Sequence, residues 1–287
     1  MTQTASAGAI VDTGSSRARH LRAHLRGRAV AYTITIGSAA ALVAGAYLHS
    51  ILLIAGGPLA LAAIAIAVAF ATASREAEAD FFDAYASAHG LGLTGRTELL
   101  PLTPLLGAGD ARHCDHYMEG SLADRRYGLG HYTFEVRKRD GESRGGRHET
   151  REFTICVTDL EEGITLFPGI FLTRRRGLFG FIDGREWLSH VNRHKVELES
   201  AELCERYELF VDEAQDELRL RELFAPSFVV WLAQHPLAPC FEYRTGTLVV
   251  YVEDRLEDAA HLDWMLEATA EIAARIAREV SERAATA

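Results

Sequence analysis

The sequence predicts a membrane-anchored α+β protein, with an N-terminal two-helix transmembrane hairpin followed by a mainly antiparallel sheet domain with packed helices. Three observations carry this. Between Arg28 and Arg75 run forty-six residues, Ala29 to Ser74, without Asp, Glu, Lys or Arg. One continuous helix of that length would rise ~70 Å, more than twice the ~30 Å hydrocarbon core of a bilayer, whereas two crossings fit. Downstream, short alternating segments rich in β-branched and aromatic residues are joined by connections of hairpin length, which suits antiparallel pairing. The chain then ends on an amphipathic helical pattern able to cover a sheet face.

Charge divides the chain into three parts. Residues 1–28 form a disordered and basic juxtamembrane segment: five Arg (Arg17, Arg19, Arg22, Arg26, Arg28) against Asp12 leave +4. Residues 29–74 are the transmembrane hairpin. Residues 75–287 form an acidic cytoplasmic α+β domain, which carries −14 and so brings the whole chain to −10. Arg beside a helix end resists translocation, so the N-terminus is expected inside and, after two crossings, the C-terminus too. That describes a multi-pass protein of the bacterial inner membrane. A secretory signal with cleavage after Ala71-Thr72-Ala73 is the competing explanation, but its apolar region would be far shorter than this run.

The first crossing is expected from Ala29 to Leu48, with Tyr32 and Tyr47 near the two interfaces. Gly37, Ala41 and Gly45 recur every four residues and would let the second helix approach closely. Beyond Arg75 a helix continues to His89, with Phe81, Phe82 and Tyr85 on its period, and Gly90 ends it. Pro101 and Pro104 exclude regular structure around Leu99 to Leu106. Strands are expected at Gly130–Arg137, Phe153–Thr158, Thr165–Leu172 and Tyr207–Asp212. A short helix carrying Trp187 follows Asp183-Gly184, and another, with Pro226 in its first turn, spans Leu223–Ala233. Phe241–Tyr243 and Leu248–Val252 flank Thr245-Gly246 as a hairpin. The last helix places Leu262, Met265, Leu266, Thr269, Ile272, Ala273, Ile276 and Val280 on one face.

The run Glu199-Ser200-Ala201-Glu202-Leu203, then Arg206-Tyr207-Glu208-Leu209-Phe210 and Leu220 to Leu232, taken with Thr103-Pro104-Leu105-Leu106-Gly107-Ala108-Gly109-Asp110, resembles a family of bacterial membrane proteins built as a two-helix anchor and a domain of unknown function. The resemblance spans most of residues 30–280. It implies an architecture and carries over no activity, cofactor or catalytic residue.

Candidate chemistry is sparse. His113-Cys114-Asp115-His116 gathers imidazole, thiolate and carboxylate, all ligands of first-row metals, and on a helix His113 and His116 would share a face. A metal site of His113, Asp115 and His116 is one reading, and a surface turn is the other. His190 and His194 have the i, i+4 spacing of zinc proteases, but Val191 stands where those helices carry the general-base Glu. Arg174-Arg175-Arg176, set between apolar arms, suits contact with lipid headgroups or an acidic partner; a solvated hairpin turn is the alternative. Gly90-x-Gly92-x-x-Gly95 matches a dinucleotide fingerprint in letters but follows a helix and precedes prolines, which removes the context the motif needs. Cys114, Cys156, Cys204 and Cys240 have no metal-like spacing and read as reduced, mostly buried thiols.

These features are those of a membrane-tethered cytoplasmic interaction or regulatory module, not of an enzyme. Its partners are the lipid bilayer and an unidentified protein; the acidic domain lacks the cationic surface that nucleic acid requires, and no cofactor is expected. The alternative is a membrane-bound metal-dependent hydrolase using His113, Asp115 and His116. A channel role for the hairpin has no charged residue in the crossings to mark an ion path.

Overall fold

In a computed structural model of the chain, residues 51–122, 124–138, 147–175, 192–198 and 200–286 are described. The chain divides into two compact units, Met1–His89 and Gly90–Ala287.

In the first unit, helix α1 runs Ile51–His89 without a break. It stops where Gly90 adopts φ +66°, the left-handed conformation that glycine takes at a helix end without steric cost. Ala69, Ala73, Ala77, Phe81 and Tyr85 are buried at four-residue steps, while Ile64, Ile66, Val68 and Phe70 are exposed. No helix among the described residues is long and apolar enough to cross a membrane. The expected membrane anchor is overturned on this finding, and with it the transmembrane fold class and the inner-membrane localisation. The first expected crossing, including Gly37, Ala41 and Gly45, lies outside the described residues.

The second unit is built on one nine-stranded antiparallel sheet in the order β1-β2-β3-β4-β9-β8-β5-β7-β6. The strands are β1 Gly92–Thr97, β2 Ala111–Leu122, β3 Arg125–Lys138, β4 Arg147–Asp159, β5 Gly169–Arg174, β6 Arg193–Val196, β7 Tyr207–Asp212, β8 Cys240–Arg244 and β9 Thr247–Val252. Helices α2 (Ala201–Arg206), α3 (Glu217–Leu223), α4 (Pro226–Gln234) and α5 (Ala259–Thr286) accompany it. The β8–β9 hairpin turns on Thr245 and Gly246, both at positive φ (50° and 78°), which is the two-residue turn whose twist matches that of the strands. Thr245 tolerates this with its hydroxyl bonded to the Leu102 carbonyl at 3.1 Å.

Every residue of β9 is buried, because both sheet faces are covered at the centre. On one face Tyr243 and Phe241 point toward the helices: Tyr243 Oη donates to the Leu160 carbonyl at 2.8 Å, and Phe241 stacks on Phe224. Helix α5 packs here against β4 and β9, burying Leu262, Met265, Ile272 and Ile276. On the other face lies the proline-bounded turn at 103–108. The Leu105 amide donates to Glu242 Oε2 at 2.8 Å, and Tyr132 Oη donates to the Leu106 carbonyl at 3.0 Å. Leu105 and Leu106 are sealed, as is the Glu242 carboxylate. Gly109, which closes the turn, has φ +76°, and a Cβ there would lie 2.7 Å from the Glu135 carbonyl oxygen.

Sequence reading missed β1, β2 and β6. Strand β2 carries the His113–His116 run, and its pairing with β3 shifts register between Asp115 and Met118. That bulge breaks the two-residue alternation by which strands are recognised. The strand expected from Thr165 begins only at Gly169, because the Leu166 and Phe167 amides turn back to the Gly163 carbonyl. His194 lies on β6, not on a helix; His190 and Trp187 are outside the described residues. Both sheet edges are blunted: β1 has two register shifts, and β6 is four residues long with Arg193 and Lys195.

Replacing Glu242 with Ala leaves the buried Leu105 N–H without its carboxylate. The expected loss is roughly 1–3 kcal/mol of stability, read as a lower urea midpoint; an unchanged midpoint would show that the turn is held by apolar packing alone.

Candidate functional site

The histidine run lies along β2. His113 Nε2 lies 3.1 Å from Asp115 Oδ2, and Arg96 Nε approaches the other carboxylate oxygen at 4.0 Å. His116 is the bulge residue, at φ +51°, and its ring meets His131 of β3 edge to face at 6.1 Å between centroids. His131 is buried, and its Nε2 lies 3.0 Å from the Leu256 carbonyl. A carbonyl only accepts, so this nitrogen carries the proton. The bulge therefore separates what the sequence placed together: Asp115 serves His113, and His116 serves His131. No group of three or more His, Cys, Asp or Glu among the described residues is arranged to hold a metal ion.

A basic corner forms where β5 ends beside α2 and α4. Arg174, the last residue of β5, donates from Nη2 to the Leu237 carbonyl at 3.1 Å. Arg175 donates from Nη1 to the Cys204 carbonyl at 3.1 Å, and its amide donates to the Arg206 carbonyl at 2.7 Å. Arg206 in turn donates from Nη1 to the Ala233 carbonyl near the end of α4. Cations at helix C-termini satisfy carbonyls that the helix leaves open and oppose the negative end of its dipole. Two of the three arginines singled out by sequence are thus placed by specific backbone contacts rather than free at a turn; Arg176 is outside the described residues. Arg206 was not foreseen, although an Arg in the last turn of a helix is the usual signal of such a cap.

At the foot of this corner a cavity of ≈50 Å³ is lined by Arg175, Lys195, Glu197, Cys204, Tyr207 and Glu208, among others. Lys195 Nζ pairs with Glu208 Oε1 at 3.1 Å. Burial raises the Tyr207 phenol pKa, while Arg174 and Arg206 pull it back, so both guanidinium charges are felt at this ring. An open groove of ≈660 Å³ lies elsewhere, between Leu166, Pro168, Arg219 and the end of α5 at Val280 and Arg283.

Nucleophile chemistry is suppressed in the interior. Burial pushes the Cys156 and Cys240 thiols up to about 12 and raises Cys114 too, so all three stay protonated at neutral pH. The phenols of Tyr117, Tyr132, Tyr243 and Tyr251 are raised by the same cause.

The fold and corner together define an antiparallel-sheet domain with helix-capping arginines at its rim. No family model and no curated protein matches the chain, so no family is shown behind the resemblance of its sequence. Among solved structures, the crystal structure of the mycobacterial trehalose monomycolate transport factor A, TtfA, is similar at a TM-score of 0.45 and 10% identity, covering 68% of this chain and 92% of that one. At that level of likeness it carries no argument about this chain.

Two outcomes follow from the site. Alkylation by iodoacetamide at about pH 8 should reach Cys204, the thiol that is part-exposed, well before the three buried ones; comparable labelling of Cys240 in the folded chain would contradict its burial. The His235 pKa is lowered from 6.5 by burial, and its Nδ1 accepts the Leu237 amide at 3.3 Å, a role only the neutral ring can fill. The unfolded chain takes up this proton first as pH falls, so stability drops below about pH 6.5. His235→Asn keeps an acceptor and cannot titrate, and it should flatten the fall in urea midpoint between about pH 7 and about pH 5.5; an unchanged slope would assign the pH dependence to other groups.

Proposed function

We infer that the domain acts by binding and not by catalysis, as an interaction or regulatory module. One observation carries the reading. The groups able to do chemistry are either buried and held in their unreactive protonation state, as with Cys114, Cys156 and Cys240, or engaged pairwise on the surface, as with His113 and Asp115. An active site needs the opposite arrangement: titratable groups converging on a cleft with their pKa values moved toward neutrality. A metal-dependent hydrolase on His113, Asp115 and His116 draws no support from this geometry, since His116 is turned to His131.

The test is in-cell photo-crosslinking of the full-length chain followed by mass spectrometry, together with metal analysis of the purified chain. A defined protein partner at stoichiometric yield and no retained metal are expected. Stoichiometric zinc that disappears in His116→Ala would overturn the reading in favour of the hydrolase.

A further inference from the structure

We propose that the basic corner of Arg174, Arg175 and Arg206 is the docking surface of this module, and that it takes an acidic segment of a protein partner. The proposal rests on the binding reading above and names the face and the chemistry of the partner.

Arg174, Arg175 and Arg206 are exposed residues on two adjoining elements. Each guanidinium is already fixed through one nitrogen to a carbonyl, of Leu237, Cys204 and Ala233 respectively. A guanidinium has five N–H donors in a rigid plane, so one such bond orients the fork and leaves further donors for a ligand. Side-chain entropy that a flexible surface arginine would lose on binding has been spent in folding, which is the usual route by which preorganisation raises affinity. Carboxylate is the natural complement, because it matches the guanidinium fork in two parallel hydrogen bonds.

The remainder of the chain sharpens this. The chain as a whole carries −10, so an acidic partner is held at this corner by its local cations and not by the net charge. Beside the arginines the ≈50 Å³ cavity carries Arg175 and Lys195 on its wall together with Glu197 and Glu208, and Lys195 is paired with Glu208, so cations and carboxylates alternate there as well. Exposed Glu202 and Glu205 stand on α2, the short helix that ends in Arg206, so carboxylates accompany the cations at this corner. A continuous anionic surface, such as a bilayer or nucleic acid, would meet those carboxylates along with the arginines and be repelled. A peptide carrying discrete acidic side chains can place its charges on the arginines and avoid the glutamates, so the interleaving selects a protein segment.

The experiment is fluorescence anisotropy of a fluorescein-labelled oligoglutamate peptide titrated with the full-length chain at low and at physiological salt. Saturable binding that weakens with salt is expected, and Arg174→Glu with Arg175→Glu should weaken it about tenfold or more. Because those arginines also hold helix ends, a second variant leaves the caps in place: Glu202→Arg with Glu205→Arg should tighten binding severalfold. Absence of saturable peptide binding to the unaltered chain, or affinity unmoved in the Glu-to-Arg variant, would overturn the proposal. Equal, Arg174- and Arg175-dependent binding of phosphatidylglycerol vesicles would overturn it in favour of an anionic surface. If the partner found by in-cell crosslinking is still captured by the Arg174→Glu, Arg175→Glu chain, the binding module stands and this face is wrong.

Discussion

Burial of β8 and β9 from both sides is the constraint on which the rest of the domain depends. A strand with one wet face can alternate polar and apolar residues, but Leu248-Val249-Val250-Tyr251-Val252 has no wet face. Each side must therefore be closed by another part of the chain. Helix α5 closes one; the turn at 103–108 closes the other, tied to the sheet by the Glu242 carboxylate and the Tyr132 hydroxyl. A buried carboxylate is costly unless hydrogen-bonded, so Glu242 and the turn stabilise each other, and neither position is free to vary alone. The long spacing between partners, 105 with 242 and 106 with 132, means that this centre forms only when most of the chain has come together.

The same centre explains why the buried thiols and phenols are held in their neutral form. Three of its four cysteines and most of its central tyrosines lie where the charged form would lose solvation, so they remain neutral packing elements. Polarity concentrates instead at the rim. There, ionised groups stay wet, and those at Arg174, Arg175 and Arg206 are held by carbonyls at or near helix ends. An inert core with an ordered charged rim is the arrangement that supports the binding role proposed for the domain.

Much of this was legible in the sequence, and the failures have physical causes. The β8–β9 hairpin, β7, α4 and the last helix follow from local rules: a two-residue turn at Thr245-Gly246, alternation in Tyr207–Asp212, proline at the start of α4, and the apolar face from Leu262 to Ile276. Strand β2 was hidden because a bulge at His116 interrupts the alternation, and because its apolar positions, Cys114, Tyr117 and Met118, are few. The membrane anchor is read chiefly from a long run without charge, supported by flanking Arg, by Tyr32 and Tyr47 and by the spacing of Gly37, Ala41 and Gly45. No helix among the described residues is long and apolar enough to cross a membrane, and Ala69, Ala73 and Ala77 are small residues buried along one stripe. For the site, composition located Arg174 and Arg175 but not their role, since a cap is made with carbonyls that lie 29 and 63 residues away in the chain. Likewise, the spacing of His113, Asp115 and His116 could not show that a backbone twist sends the last of them to His131.

The central claim, that a sheet closed on both faces at β8 and β9 holds an ordered but locally softer rim, is tested most directly by native-state hydrogen exchange resolved to single amides. The amides of β8, β9 and the neighbouring part of β4 should exchange slowest, with opening free energies equal to that of global unfolding, while β1 and β6 exchange through smaller local openings. Exchange of the β8 and β9 amides at rates matching those of the edge strands would contradict the account, because it would place the stability of the domain somewhere other than its doubly covered centre.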